Sequence, residues 1–362
     1  MSNKIEVGVL GATGMVGQNY LRLLENHPWF EVVYLAASPN SAGKKYQEAV
    51  AGRWHMRTDL PSKYKDLIVE DAGQVDKAVG KCRLIFSAVE MDKQSILKTE
   101  AEYASKGFAV VSNNSAHRHT EDVPVMIPEI NPAHLEIIPQ QRKNHAWEKG
   151  LLVVKPNCSI QSYMIPVYAL LKAGYKIDKM ILTTLQALSG AGYPGPAAID
   201  LVDNVIPFIG GEEEKSEVEP LKIFGSVKNG KIVPDGDMQI SAHCNRVAVS
   251  DGHTACVSLQ FAGHKPEAAE IIAIWKNFRG EPQELKLPSA PDPVLIYRDE
   301  NDRPQPQKDR DSGNGMAVTV GRLRQCNVFD YRFTGLHHNT VRGAAGGAIL
   351  TAEMLVSKGY VK

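Results

Sequence analysis

The sequence predicts an α/β protein in two domains, the first built on a doubly wound parallel sheet, and three observations carry that prediction. A strand at residues 5–10, Ile-Glu-Val-Gly-Val-Leu, runs directly into the glycine turn Gly11-Ala12-Thr13-Gly14-Met15-Val16-Gly17 and then a helical pattern through Leu24. The alternation returns with strands at 84–89 and 108–112 on either side of a helix near 93–106. Strands separated by helices pair in parallel, because a parallel return needs a crossover. Finally, 362 residues exceed what one hydrophobic core usually holds.

Composition narrows the function classes. Apolar residues make up 43% and charged residues 23%, the balance of an ordinary globular protein. Lys plus Arg equal Asp plus Glu at 41 each, so no bulk field draws nucleic acid or an anionic membrane. The five cysteines, Cys82, Cys158, Cys244, Cys256 and Cys326, contain no C-x-x-C pair and follow no secretory h-region, which points to a reducing, cytoplasmic home. No apolar run approaches the roughly eighteen residues of a membrane span.

In chain order, the glycine turn comes first. Between a strand and a helix it is the arrangement that lets backbone approach a pyrophosphate resting on the helix N-terminus, so Gly11, Thr13, Gly14, Met15 and Val16 are candidate cofactor contacts. The next strand, 31–37, ends Ala36-Ala37-Ser38, without the acid that usually accepts from the ribose 2′-OH of NAD. Ser38 and Ser41 as neutral donors, with Lys44 and Lys45 nearby, suit a 2′-phosphate and hence NADP. Ser87 and Asn113 fall at the carboxyl ends of later strands, where ligands of such sheets bind.

Leu151-Leu152-Val153-Val154 reads as a further strand, and Ile160 to Leu171 as the helix after it. Cys158 falls where one hands over to the other. Taken alone, a cysteine is more often a buried inert residue. At a helix start, however, unpaired N–H groups and the positive dipole end would lower its thiol pKa and could hold an oxyanion. Farther on, Arg298 to Gly315 is polar and proline-bearing and reads as a solvated loop, with strand-like alternation resuming at 316–320 and 328–333. The last helix, 341–356, opens on small residues, Gly343-Ala344-Ala345-Gly346-Gly347, that permit close packing.

Six ordered blocks make the chain resemble the aspartate-β-semialdehyde dehydrogenases, particularly the archaeal and fungal branch, over nearly its whole length. They are the glycine turn, Ser115-Ala116-His117-Arg118 with Val123-Pro124, Pro128-Glu129-Ile130-Asn131, Lys155-Pro156-Asn157-Cys158, Arg246 with Asp251-Gly252-His253, and Asn339-Thr340-Val341-Arg342-Gly343. The resemblance implies a Rossmann-type cofactor domain over 1–156 and 340–362, with the C-terminal helix returning to it. It implies an α+β catalytic and dimerisation domain over 157–339 and a homodimer or homotetramer. It implies NADP-dependent reduction of L-aspartyl-4-phosphate to the semialdehyde through a cysteine thioester, in biosynthesis of aspartate-family amino acids.

Carried over by position, Cys158 matches the nucleophile and His253 the acid/base, with a pKa near working pH. Arg246 matches the clamp for the substrate α-carboxylate, a task suited to a planar guanidinium. Glu219 would hold the substrate ammonium, Lys222 and Arg118 its phosphate, and Gln186 would orient it beside Cys158. Ser189 and Gly190 would face the nicotinamide, with Asn339 on the other side. Two other readings stand beside this one: a reductase of N-acetylglutamyl phosphate or a malonyl thioester, and a non-catalytic NADP sensor. A metal site is not expected, since neither H-E-x-x-H nor paired C-x-x-C spacing occurs, and no G-x-S-x-G elbow suggests a serine hydrolase.

Overall fold

A computed structural model describes residues 4–362. Its first sheet is made by β1 (Ile5–Leu10), β2 (Phe30–Ala37), β3 (Val69–Asp71), β4 (Leu84–Ser87), β5 (Ala109–Ser112) and β6 (Leu151–Val154). Their order is β3-β2-β1-β4-β5-β6, and every pair is parallel. The strands beyond β1 are apolar along both faces because helices and loops cover both: β4, β5 and the last strand, β6, are buried throughout. Order reverses between β1 and β4, which opens a crevice at the carboxyl edge beside the helix Met15–Leu24.

The second sheet takes β7 (Ile177–Gln186), β10 (Gln239–Arg246), β11 (His253–Phe261), β12 (Leu295–Arg298), β13 (Val318–Gln325) and β14 (Tyr331–His337), and β8 (Ser226–Lys228) with β9 (Lys231–Val233) forms a separate hairpin. Its order, β10-β7-β11-β14-β13-β12, mixes parallel and antiparallel pairs. One face packs on the helices Met164–Lys172 and Ala268–Asn277, where Trp275 is buried and donates to Pro166 O at 2.9 Å. The other face stays open: Ile181, Gln239, Ser241, His243 and Cys256 are all exposed.

The last helix, Gly346–Ser357, joins the core of the first sheet, its Ile349, Leu350 and Leu355 clustering with Val9, Phe30, Phe86 and Val111. Buried Glu353 secures it, bonding His27 Nε2 at 2.7 Å and accepting from Ser289. The stretch 298–315 is the solvated segment its polarity suggests over residues 299–302, which are exposed, but it is anchored farther on. Asp309 is 1% exposed and gathers Arg298, Arg303 and the backbone N–H of Gln305, while Arg310 donates to Asp251 O at 3.2 Å. Paired charge satisfies the buried Asp309, and Arg310 braces the residues just before His253. Among the described residues no helix is long and apolar enough to cross a membrane.

Candidate active site

Strand polarity gathers the site. β7 and β10 run parallel with Arg246 opposite Gln186, so both side chains leave the same end of the second sheet. β11 runs antiparallel to β7 and begins at that end, with His253. From the first sheet comes the loop after β6, where Lys155 N donates to Ser112 O at 2.7 Å and Arg118 Nε donates to Lys155 O at 3.1 Å. Cys158 Sγ thereby stands 3.5 Å from His253 Nε2.

The backbone N–H of Ala187 donates to His253 Nδ1 at 3.0 Å. A ring nitrogen that accepts carries no proton, so the neutral imidazole is protonated at Nε2 and donates toward the sulfur. Burial, then Arg246, His338 and Lys155, push this fully buried ring well below the ordinary histidine pKa. Burial therefore moves this histidine below the near-neutral range expected of a free one. The thiol departs from expectation too: burial, with Glu212 adding to it, pushes Cys158 up to about 11 against the opposing pull of Lys155, Arg118 and Arg246. Its helix start is only a single 3₁₀ turn, Ser159–Ser162, ahead of the α-helix Met164–Lys172. One turn sums few peptide dipoles, and desolvation outweighs it.

Arg246 is 6% exposed and donates to Ala187 O at 2.6 Å. The turn Leu188–Ala191 lies over it, and a Cβ on Gly190 would come within 2.9 Å of Arg246 Nη1 and 3.0 Å of His253 Nε2. Asn339 holds that turn, donating to Ser189 Oγ at 2.9 Å while accepting from Gly252 N at 2.8 Å. Ser189, Gly190, Asn339, Arg246 and His253 therefore form one group.

The helix Glu212–Phe224 buries Glu212, Ser216, Glu219 and Lys222 on one face, so the supposed ammonium and phosphate partners lie inside the protein. Glu219 accepts from Arg118 Nη1 at 2.8 Å and from Asn157 N at 2.6 Å. Lys222 Nζ donates to the carbonyls of Arg118 and Thr120 at 2.8 and 2.6 Å, and burial brings it down to about 8. Through these bonds both brace the loop that carries Arg118. Arg118 itself also donates to Asn113 O at 3.1 Å.

Glu212, two turns nearer the thiol, was missed. It accepts from Asn157 Nδ2 at 2.7 Å, Gln186 Nε2 at 3.1 Å and Lys215 Nζ at 3.0 Å. The signal was present, because Glu212 and Lys215 repeat the three-residue acid-to-lysine spacing of Glu219 and Lys222.

A dinucleotide fits the crevice of the first sheet. Gly11, at φ +75°, passes so near β4 that a Cβ would lie 2.1 Å from Ala88 O, and one on Gly17 would lie 2.2 Å from Gly11 O. Gly14 is exposed, and a Cβ there would meet only Gly11 O at 3.6 Å. Gly14 starts the Met15–Leu24 helix with no side-chain cap and no acid in the first turn, leaving its N–H groups to an anion. Thr13, Met15 and Val16 line that end.

Ser38 is exposed past the end of β2 and its carbonyl accepts from Ser41 N at 2.9 Å, whereas Lys45 is paired with Asp66 at 2.8 Å. Ser87 is fully buried, and its hydroxyl donates to Glu100 Oε1 at 2.7 Å. Asn113 bonds the Tyr20 hydroxyl behind the glycine turn.

Residues 6–138 match the semialdehyde dehydrogenase NAD binding domain, and residues 167–342 the semialdehyde dehydrogenase dimerisation domain. An aspartate-semialdehyde dehydrogenase of Archaeoglobus fulgidus is 43% identical over 357 residues, covering 98% of this chain and 99% of the relative. One from Schizosaccharomyces pombe is 40% identical, covering 98% and 99%. The crystal structure of aspartate semialdehyde dehydrogenase with NADP from Candida albicans superposes with a TM-score of 0.89 at 37% identity, over 99% of this chain and 100% of that one.

Proposed function

Because the chain belongs to the aspartate-semialdehyde dehydrogenases and has their activity, we propose that Cys158 is the nucleophile that takes the acyl group of L-aspartyl-4-phosphate as a thioester. The contact of Cys158 Sγ with His253 Nε2, at the meeting of both sheets, carries this reading. As the sulfur bonds to the acyl carbon, the carbon–oxygen bond to phosphate breaks, and the thiol proton leaves on the departing phosphate. The bound nicotinamide dinucleotide supplies the hydride that reduces the thioester. The Nε2–H of His253, fixed by Ala187, then faces the oxygen of the thiohemiacetal, and collapse of that oxyanion returns aldehyde and thiolate.

Arg246 receives the substrate carboxylate, its guanidinium having no carboxylate partner among the described residues. Glu212, with Gln186 beside it, takes the ammonium in place of Glu219. Lys215 and the remaining N–H groups of Arg118 take the phosphate in place of Lys222. Gly11, Gly14 and the first turn after them hold pyrophosphate, and exposed Ser38, backed by the buried Ser41, faces a 2′-phosphate, which favours NADP.

The dimerisation domain makes the chain a homo-oligomer. A second copy fits the open face of the second sheet around Ile181 and Cys256, flanked by exposed Tyr193, Ile199, Val202 and Phe208. We keep the division into 1–156 with 340–362 and 157–339 as our reading of the two domains.

The deciding assay is NADPH formation from L-aspartate-4-semialdehyde, NADP and phosphate, by wild type and Cys158→Ser. Phosphate-dependent turnover that falls at least a thousandfold in the variant, with NADP binding intact, is expected. Serine turnover within tenfold of wild type would remove Cys158 from the mechanism, and turnover confined to N-acetylglutamate semialdehyde would replace the substrate.

A further inference from the structure

We propose that His55 and Tyr193, stacked on each other across the two domains, are positioning residues: their contact is the catch of a strap that shuts over the bound dinucleotide. The inference rests on the reading of the first sheet's crevice as the dinucleotide site and adds a gate to it. Residues 51–61 run without helix or strand between the short helix Tyr46–Ala49 and the turn Ser62–Tyr64. With no ladder of its own, such a segment is held by what its backbone and side chains reach elsewhere.

The root of the strap is tied to the glycine turn. Tyr46, just before it, is buried, and its hydroxyl donates to Ala12 O at 2.8 Å. Gln18, fully buried on the helix after the turn, joins the two with one amide group. Its Nε2 donates to Thr13 O at 3.0 Å and to Arg53 O at 2.7 Å, while its Oε1 accepts from His55 N at 2.8 Å.

The tip crosses to the second domain. The ring of His55 stacks on that of Tyr193, with centroids 3.8 Å and planes 23° apart, and Arg57 Nη2 stands 3.5 Å from Asp251 Oδ2. Both receiving segments belong to the active site: Tyr193 follows the turn Leu188–Ala191 that carries Ser189 and Gly190, and Asp251 precedes His253 by two residues. Backbone bonds join these segments to each other, Leu188 N to Val249 O at 2.7 Å and Ser189 N to Ser250 O at 3.1 Å.

The strap therefore bridges the same two points as the cofactor, whose pyrophosphate is assigned to the glycine turn and whose nicotinamide is assigned to Ser189 and Gly190. Arg53 and residues 57–59 are exposed, so the strap is the outer of the two, and it must part for the cofactor to pass. It parts at the tip. The root is held through a buried amide, whereas the tip has the stack and an ion pair whose arginine is 73% exposed. Exposed ion pairs hold little, which leaves the stack as the catch. Each tie joins protein to protein, so opening hinders arrival and departure alike. A group that only touched the cofactor would slow departure alone.

The test is stopped-flow NADPH fluorescence, giving association and dissociation rates for wild type, His55→Ala, Tyr193→Ala, the double variant and Tyr193→Phe. Tyr193 is 67% exposed, so its truncation should leave Tm unchanged. Each alanine should raise both rates by about two- to tenfold, the range that loss of an aromatic pair allows, with Kd altered less than either rate. The double variant should match the faster single one, because each alanine breaks the same stack. Tyr193→Phe keeps the ring and should exchange NADPH as wild type does. Additive effects overturn the proposal, as do faster departure with unchanged arrival, a Tyr193→Phe as fast as the alanine, or faster exchange seen only with a lowered Tm. Wild-type rates in every variant fail the gate alone, whereas a wild type that binds no NADPH fails the cofactor reading.

Discussion

Replacing Glu212 by Gln separates two carboxylates that the sequence left interchangeable. Glu212 carries one negative charge among Asn157, Gln186 and Lys215, each within 3.1 Å, and it is the strongest charge opposing ionisation of Cys158. Glutamine keeps the shape and removes the charge. If the carboxylate holds the substrate ammonium, the variant loses one charge-assisted hydrogen bond, about 1.5–3 kcal/mol, or roughly tenfold to 150-fold in kcat/KM for the semialdehyde. The free thiol should move the other way: its pKa falls, and iodoacetamide should modify it faster at pH 7.5. Opposite changes in substrate turnover and thiol reactivity are hard to obtain from a merely damaged site.

Glu219→Gln is the control. Its carboxylate neutralises Arg118, both groups being buried, so breaking the pair should cost about 3–5 kcal/mol of stability. Steady-state assays at varied semialdehyde, with denaturant melts on the same preparations, read both effects. A raised KM in Glu219→Gln with an unchanged melt, and a normal KM in Glu212→Gln, would refute the assignment.

Three further outcomes are expected. Gly190→Ala should cut turnover by tenfold or more with little change in Tm, since its methyl would press on Arg246 and His253 at about 3 Å while the turn around it is exposed; wild-type kinetics would show that the turn yields freely. Ser38→Asp should weaken NADP far more than NAD through repulsion of the 2′-phosphate, measured by fluorescence titration of both cofactors, and equal losses would count against Ser38. Ile181→Asp, placed on the open sheet face, should lower the mass seen by light scattering to that of one chain; an unchanged assembly would move the interface elsewhere.

The parallel sheet was legible because buried strands write themselves as apolar runs, Leu84–Phe86 and Leu151–Val154 among them, between glycine turns that little else explains. Cys158, His253 and Arg246 could be picked out by pattern. Their environment could not, since burial is a property of the assembled fold: the histidine and thiol were expected to titrate near neutrality, and desolvation moved the first down and the second up. The choice between Glu219 and Glu212 was open in the sequence for another reason. Both acids precede a lysine by three residues on one helix face, and only the docking of that helix decides which turn meets the nucleophile. Ser87 lay at the predicted strand end, yet a serine in a strand can face either side, and Glu100 claimed it from within.

The return of the last helix governs how the protein is made. β1 through β6 leave the ribosome early, but the slot between Val9, Phe86 and Val111 is filled by Ile349, Leu350 and Leu355, and the entire second sheet is translated in the interval. During that interval the nascent first sheet shows an unpaired apolar surface, the kind that draws chaperones or aggregates. The nucleophile loop waits as well, because Gly343 and Gly347 are what close over Cys158 and Lys155. A half-synthesised chain therefore carries an exposed thiol without its full setting, and the reactive centre is completed late in translation.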